Sequence, residues 1–178
     1  MSDEPLDQSI SRINELSEAQ ATGEFLKCCG STAWANHMTG MRPFSNSDEL
    51  SSRADEIWWS LDEEDWLEAF RAHPKIGEKK AAAAQSAEAQ AWSAVEQSES
   101  ERAAAETKAA LAEGNREYEQ RFGFIFIICA TGKSAEEILA ALNGRLHNDP
   151  ETELRTAAEE QRKITRLRIE KLLQASAG

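Results

Sequence analysis

Helix starts recur along this chain at short intervals. Ser17 stands three residues before Gln20, Ser60 before Glu63, Ser98 before Glu101 and Ser134 before Glu137. In such a pair the serine hydroxyl accepts from the backbone N–H three residues on, and the longer side chain accepts from the serine's own N–H. Asp149 followed by Pro150 is a fifth start, an N-cap with proline at the first helical position. Between the starts, apolar residues recur at helical spacing: Phe25, Leu26 and Cys29; Leu50, Ala54, Ile57 and Trp58; Ile138, Leu139, Leu142 and Leu146. Alanine is abundant and β-branched residues are few, which favours helix over sheet.

The reading is an all-α fold, a single-domain helical bundle of about eight helices. They are drawn from the segments 7–16 (short), 18–28, 31–39, 48–59, 61–72, 87–97, 99–120, 135–147 and 150–174. Met41 to Asn46 reads as a turn, and 75–86 as a loop or a weak helix. A length of 178 residues suits one hydrophobic core, so 1–178 is expected to be one domain. One segment resists the pattern. Phe122 to Ala130 is a continuous apolar run that reads by propensity as a buried strand, yet no second strand is evident. Its backbone groups would need partners from helix ends, water or a ligand. The alternative is a core-filling helix start.

Charge and composition exclude several classes. A net charge of -12 argues against nucleic acid as partner, and an anionic substrate would need local cations to overcome that field. No apolar run reaches membrane-spanning length, and the acidic start Met1-Ser2-Asp3-Glu4-Pro5 lacks the features of a signal peptide. The terminal Ala-Gly carries no peroxisomal address. Three cysteines, Cys28, Cys29 and Cys129, without framework spacing read as reduced thiols of a cytoplasmic protein. No metal is expected, because none of His37, His73 and His147 has a glutamate three residues before it and no HExxH occurs.

Chemistry is suggested at three places. His73-Pro74-Lys75-Ile76-Gly77 follows the apolar pattern of Trp66, Leu67, Ala69 and Phe70. Proline disfavours helical angles at the residue before it, so His73 is expected at a helix C-terminus, where the imidazolium is favoured and a general acid can be held. The alternative is a turn with a solvated or capping histidine. Ser93, Glu96 and Gln97 share one helix face, able to read a polar heterocycle or to stand in solvent beside the apolar Trp92 and Val95. Arg168 interrupts the stripe of Ile164, Leu167, Leu172 and Leu173, and so either meets an anion or snorkels at the stripe's edge. Arg162 and Arg166 share a face with Glu170, as on a solvated, salt-bridged surface. The pair Trp58-Trp59 is a candidate interface mark.

Taken together, these residues resemble the 2-oxo-4-hydroxy-4-carboxy-5-ureidoimidazoline (OHCU) decarboxylases of urate breakdown. The resemblance runs from about Glu24 to Leu173. It is carried by Phe25-Leu26 with Cys29-Gly30, Arg42-Pro43-Phe44, Ala72-His73-Pro74 with Gly77, Ser93 with Glu96-Gln97, Tyr118 with Phe122-Gly123-Phe124, Arg145-Leu146, and Lys163-Ile164 with Leu167-Arg168. It departs from the family at Lys75-Ile76, at the alanine-rich stretch before Ser93, and at Ile125 where proline is common.

The resemblance implies an all-α enzyme, usually a homodimer, that yields (S)-allantoin without a cofactor. His73 would be the catalytic acid/base, and Glu96 would position it or the substrate. Substrate contacts would come from Pro74, Ser93, Ala94, Val95, Gln97, Phe126, Ile127, Ile128, Cys129, Ala130 and Arg168. The runner-up is a non-catalytic helical binding module for a ureide or purine metabolite.

Overall fold

A computed structural model describes residues 4–74 and 94–175, with side chains described from Gln8 to Pro74 and from Arg102 to Ala175. Among the described residues there are eight α-helices and no strand: α1 (Glu4–Glu15), α2 (Glu18–Cys28), α3 (Thr32–Gly40), α4 (Ser47–Ser60), α5 (Glu63–Arg71), α6 (Ala94–Phe122), α7 (Ala135–Arg145) and α8 (Pro150–Ala175). Full capping boxes open α2 at Ser17 and α7 at Ser134. Asp149 accepts from the Thr152 N–H at the start of α8.

Two expected starts are corrected. Ser60 is the last residue of α4 and turns its hydroxyl back to the Ile57 carbonyl, so the N-cap of α5 is Asp62. Ser98 lies inside α6, which runs unbroken through the expected boundary between 97 and 99. Neither glycine nor proline interrupts Ala94 to Glu113, and the glutamates and alanines there are strong helix formers. The expected helix over 87–97 lies outside the described residues as far as Ser93.

The chain divides into two compact units. The first comprises Met1–His73, Ile127–Cys129 and Leu154–Gly178; the second comprises Pro74–Phe126 and Ala130–Glu153. In the first unit, Phe25, Trp34, Met38, Leu50, Trp58, Phe70 and Ile169 are buried core. Its tryptophans also act as polar nails, because a buried indole N–H needs an acceptor. Trp34 donates to the Ala54 carbonyl at 3.0 Å, Trp58 to Ala158 at 3.0 Å and Trp66 to Trp58 at 2.9 Å. Trp58 is therefore core, and of the suspected interface pair only Trp59 is exposed, at 37%. Arg42 of the Arg-Pro-Phe element closes α1 by donating to the carbonyls of Ile13 and Leu16 at 2.9 and 2.7 Å. Arg162 and Arg166 do form surface ion pairs, but their shared partner is Asp55 of α4 rather than Glu170.

In the second unit, α6 packs on α7 around Leu111, Tyr118, Ile138 and Leu142. Gly123 ends α6 at φ +78°, a left-handed angle that favours glycine. No helix among the described residues is long and apolar enough to cross a membrane.

Candidate active site

His73 sits where its proline neighbour dictates. Ala72 caps α5, and the His73 N–H closes a last tight turn on the Phe70 carbonyl at 3.1 Å. The turn between α2 and α3 comes unusually close here. A Cβ on Gly30 would lie 2.4 Å from the Ala72 Cβ, so only glycine fits without a shift. Glu68 of α5 accepts from the Thr32 N–H and hydroxyl at 3.0 and 2.6 Å, tying the start of α3 to the same helix. The turn between α2 and α3 thus fixes the end of α5 that leads into His73.

The imidazole is half-buried, and its Nε2 lies 2.5 Å from Oε1 of Gln161. Gln161, fully buried in α8, passes its amide N–H to Thr165 Oγ1 at 3.1 Å. The helix end predicts a favoured imidazolium, and here the structure differs. Burial lowers the proton affinity of His73 below its ordinary value; the Gln161 hydrogen bond opposes this and the nearby Arg168 guanidinium adds to it. A helix end at the surface contributes only about 0.3–1 kcal/mol, and desolvation outweighs it. The buried surroundings of His73 favour the neutral imidazole over the imidazolium.

Arg168 makes no ion pair or hydrogen bond among the described residues. It lines a pocket of about 450 Å³ with Glu24, Lys27, Cys28, Lys171, Leu172 and Ala175. Lys27 on that wall is paired with Glu24 at 2.9 Å, which leaves Arg168 and Lys171 to oppose the chain's negative field. Burial pushes the Cys28 thiol of this pocket up to about 12 and that of its neighbour Cys29 up to about 11, which favours the protonated thiol over the nucleophilic thiolate.

The Phe122–Ala130 run forms neither a strand nor a helix start throughout. Phe122 completes α6, and residues 125–130 are irregular, neither helix nor strand. Ile127, Ile128 and Cys129 are buried in the first unit, where the Cys129 N–H donates to Glu160 Oε2 of α8 at 2.8 Å. Phe126 belongs to the second unit, its ring edge-on to Tyr118 and 4.4 Å beneath the Arg145 guanidinium. Ala130 and Pro74 are exposed and also fall in that unit. Ser93 lies outside the described residues, and of Ala94, Val95, Glu96 and Gln97 only the backbone is described, as the start of α6.

The structure thus gathers His73, Arg168 and Ile127–Cys129 in one unit, all served by α8. Sequence reading missed Gln161, Thr165 and Glu160. A signal existed: 161, 165, 168 and 172 follow the 4-3-4 spacing of one helix face.

The profile of the OHCU decarboxylase family matches residues 14–170. The chain belongs to the OHCU decarboxylase family. It is 39% identical over 155 residues to the uric acid degradation bifunctional protein TTL of Arabidopsis thaliana, covering 86% of this chain but 48% of that protein. It therefore spans about half the length of that relative. It is 33% identical over 163 residues to the 2-oxo-4-hydroxy-4-carboxy-5-ureidoimidazoline decarboxylase of Haloferax volcanii, covering 91% of this chain and 92% of that one. Among solved structures, an OHCU decarboxylase determined in the presence of (S)-allantoin is 41% identical, with a TM-score of 0.68 over 85% of this chain and 97% of its own. An (S)-allantoin synthase at 18% identity shares the fold, with a TM-score of 0.65 over 92% of this chain and 53% of its own. The OHCU decarboxylase fold is the all-α architecture described above.

Proposed function

We propose that this chain is a carboxy-lyase that converts OHCU to (S)-allantoin in urate breakdown, acting as a single domain within a cytoplasmic homodimer. One observation carries the reading: a half-buried imidazole held on Gln161, beside an arginine that has no counter-ion among the described residues. A decarboxylase for a carboxylate substrate needs both parts, a proton carrier and a fixed cation.

Loss of CO2 leaves an electron pair on carbon. In OHCU that carbon bears a hydroxyl and adjoins a C=N bond, which accepts the pair and gives an enol-like intermediate. No cofactor is required to hold those electrons; the protein supplies orientation and electrostatics. The enol ketonises as a proton reaches the neighbouring carbon from one face, which gives one enantiomer. His73 exchanges that proton with the hydroxyl or the adjacent carbon. Glu96 orients His73 or holds the ureido N–H groups. Ser93 and Gln97, with the backbone of Ala94 and Val95, read ring amides; Pro74 and the segment Phe126, Ile127, Ile128, Cys129 and Ala130 wall the hydantoin-like edge. Arg168 takes a carbonyl or carboxylate oxygen, for which its planar fork suits better than an ammonium. Lys171 on the Arg168 pocket gives an anion a path into a chain of net charge -12.

The test is direct. OHCU generated from urate by uricase and the hydrolase acting on its product decays spontaneously. With this protein the decay should accelerate in proportion to enzyme concentration, releasing one CO2 per allantoin formed. A decay rate unchanged by the protein, with binding detected by calorimetry, would instead establish a binding module.

A further inference from the structure

His73 has two nitrogens, and only one of them can meet a substrate while the other is anchored. Two buried side chains of α8 decide which. The Gln161 amide nitrogen donates to Thr165 Oγ1 at 3.1 Å. That orients the amide, leaving Oε1 facing His73 Nε2 at 2.5 Å. Two acceptors do not face each other at that distance, so Nε2 carries a hydrogen. Gln161 is fully buried and Thr165 is 6% exposed, so no solvent competes for these bonds.

We propose that Gln161, oriented by Thr165, is a positioning residue that sets the Nε2–H tautomer of His73 and leaves Nδ1 as the nitrogen that exchanges the proton with substrate. The bond made by one ring nitrogen fixes the role of the other. Nδ1 makes no hydrogen bond among the described residues. A neutral amide acceptor has a second consequence. A carboxylate in its place would stabilise the imidazolium, whereas the amide does so weakly, and Arg168, the charged group acting on the ring among the described residues, opposes it. A proton taken at Nδ1 is therefore readily given back to carbon. The identity of the substrate rests on the decarboxylase reading; the tautomer does not.

The experiment combines nitrogen NMR with kinetics. Long-range proton–nitrogen spectra of the labelled resting protein, with the His73 signals assigned by their absence in His73→Asn, report which nitrogen is protonated. Nε2 protonated and Nδ1 bare is expected; the reverse overturns the proposal. Gln161→Leu should lose the tautomer preference and about 10- to 100-fold in kcat, the usual range for an outer partner of a functional histidine, with KM little changed. Gln161→Glu keeps an acceptor at that place, so the tautomer should persist while the acid limb of the kcat profile moves to higher pH. Gln161→Leu with wild-type kcat and tautomer also overturns the proposal. Should that variant fail to fold, the wild-type spectrum and the Gln161→Glu profile decide. The expected tautomer in a protein that does not accelerate OHCU decay would sink the reaction and spare the positioning; acceleration with the opposite tautomer would do the reverse.

Discussion

Two polar clusters in this molecule differ in one respect, and the difference separates chemistry from architecture. In the second unit, Glu153 is fully buried and every direction around it is taken. Tyr118 donates to it in a short bond, Arg145 at 2.6–2.7 Å and Asn148 at 2.8 Å. The Arg145 guanidinium is also stacked over Phe126. In the first unit, His73 has one nitrogen anchored and Arg168 has no ion pair among the described residues. Both clusters contain residues that carried the family resemblance. The saturated one can only hold the fold, since breaking any bond strands a buried charge. The unsaturated one has valences left for a ligand.

Crossed substitutions should break the comparison if it is wrong. The largest expected effect is on catalysis: His73→Asn should lose about 100- to 10,000-fold in kcat, with the helical circular dichroism and unfolding midpoint of the wild type. Glu153→Ala should do the opposite, costing about 3–5 kcal/mol in urea denaturation because it removes the buried carboxylate that Tyr118, Arg145 and Asn148 bind, while the folded fraction keeps near-normal kcat. If Glu153→Ala lowers kcat without lowering stability, the division fails.

Gly30→Ala sharpens the boundary. The added methyl meets the Ala72 Cβ, and overpacking of this kind costs about 1–3 kcal/mol. Because His73 follows Ala72, kcat should fall as well, unlike for Glu153→Ala. A smaller effect is on pH. The folded-state proton affinity of His73 is depressed, so the unfolded chain binds the proton first as pH falls. Its contribution to stability is complete above about pH 6.5, the usual histidine value, and is lost as pH drops from there through the lower folded value. Denaturation of wild type and His73→Asn across pH 5 to 8 should show this loss in the wild type only. The smallest effect belongs to the solvent-facing pair: Arg166→Ala should cost at most about 1 kcal/mol and leave kcat alone.

How much can be read beforehand follows from how local each determinant is. Ser17, Ser134 and Asp149 cap helices with partners three residues away, and they are legible. Ser60 and Ser98 carry the same spacing but fail, because a neighbouring helix absorbs each serine. His73 is legible because Pro74 dictates the chain's exit. Gln161 is not, since its partner lies 88 residues away and a glutamine beside Arg162 looks like surface. The apolar run before Ala130 is legible as buried but not in conformation: propensity points to a strand, whereas the segment is irregular and the Cys129 N–H meets a glutamate side chain 31 residues on. The lowered proton affinity of His73 depends on burial and on Arg168, neither of which its neighbours in sequence reveal.

The stereochemistry of the product reports whether His73 delivers the proton to one face of the enol. Urate, uricase and the following hydrolase are mixed with wild type or with His73→Asn, and the circular dichroism of allantoin is recorded as it forms. Wild type should give the S enantiomer far faster than spontaneous decay, and the variant slow formation of racemate. Rapid S-allantoin from His73→Asn, or racemate from wild type, would contradict this role of His73.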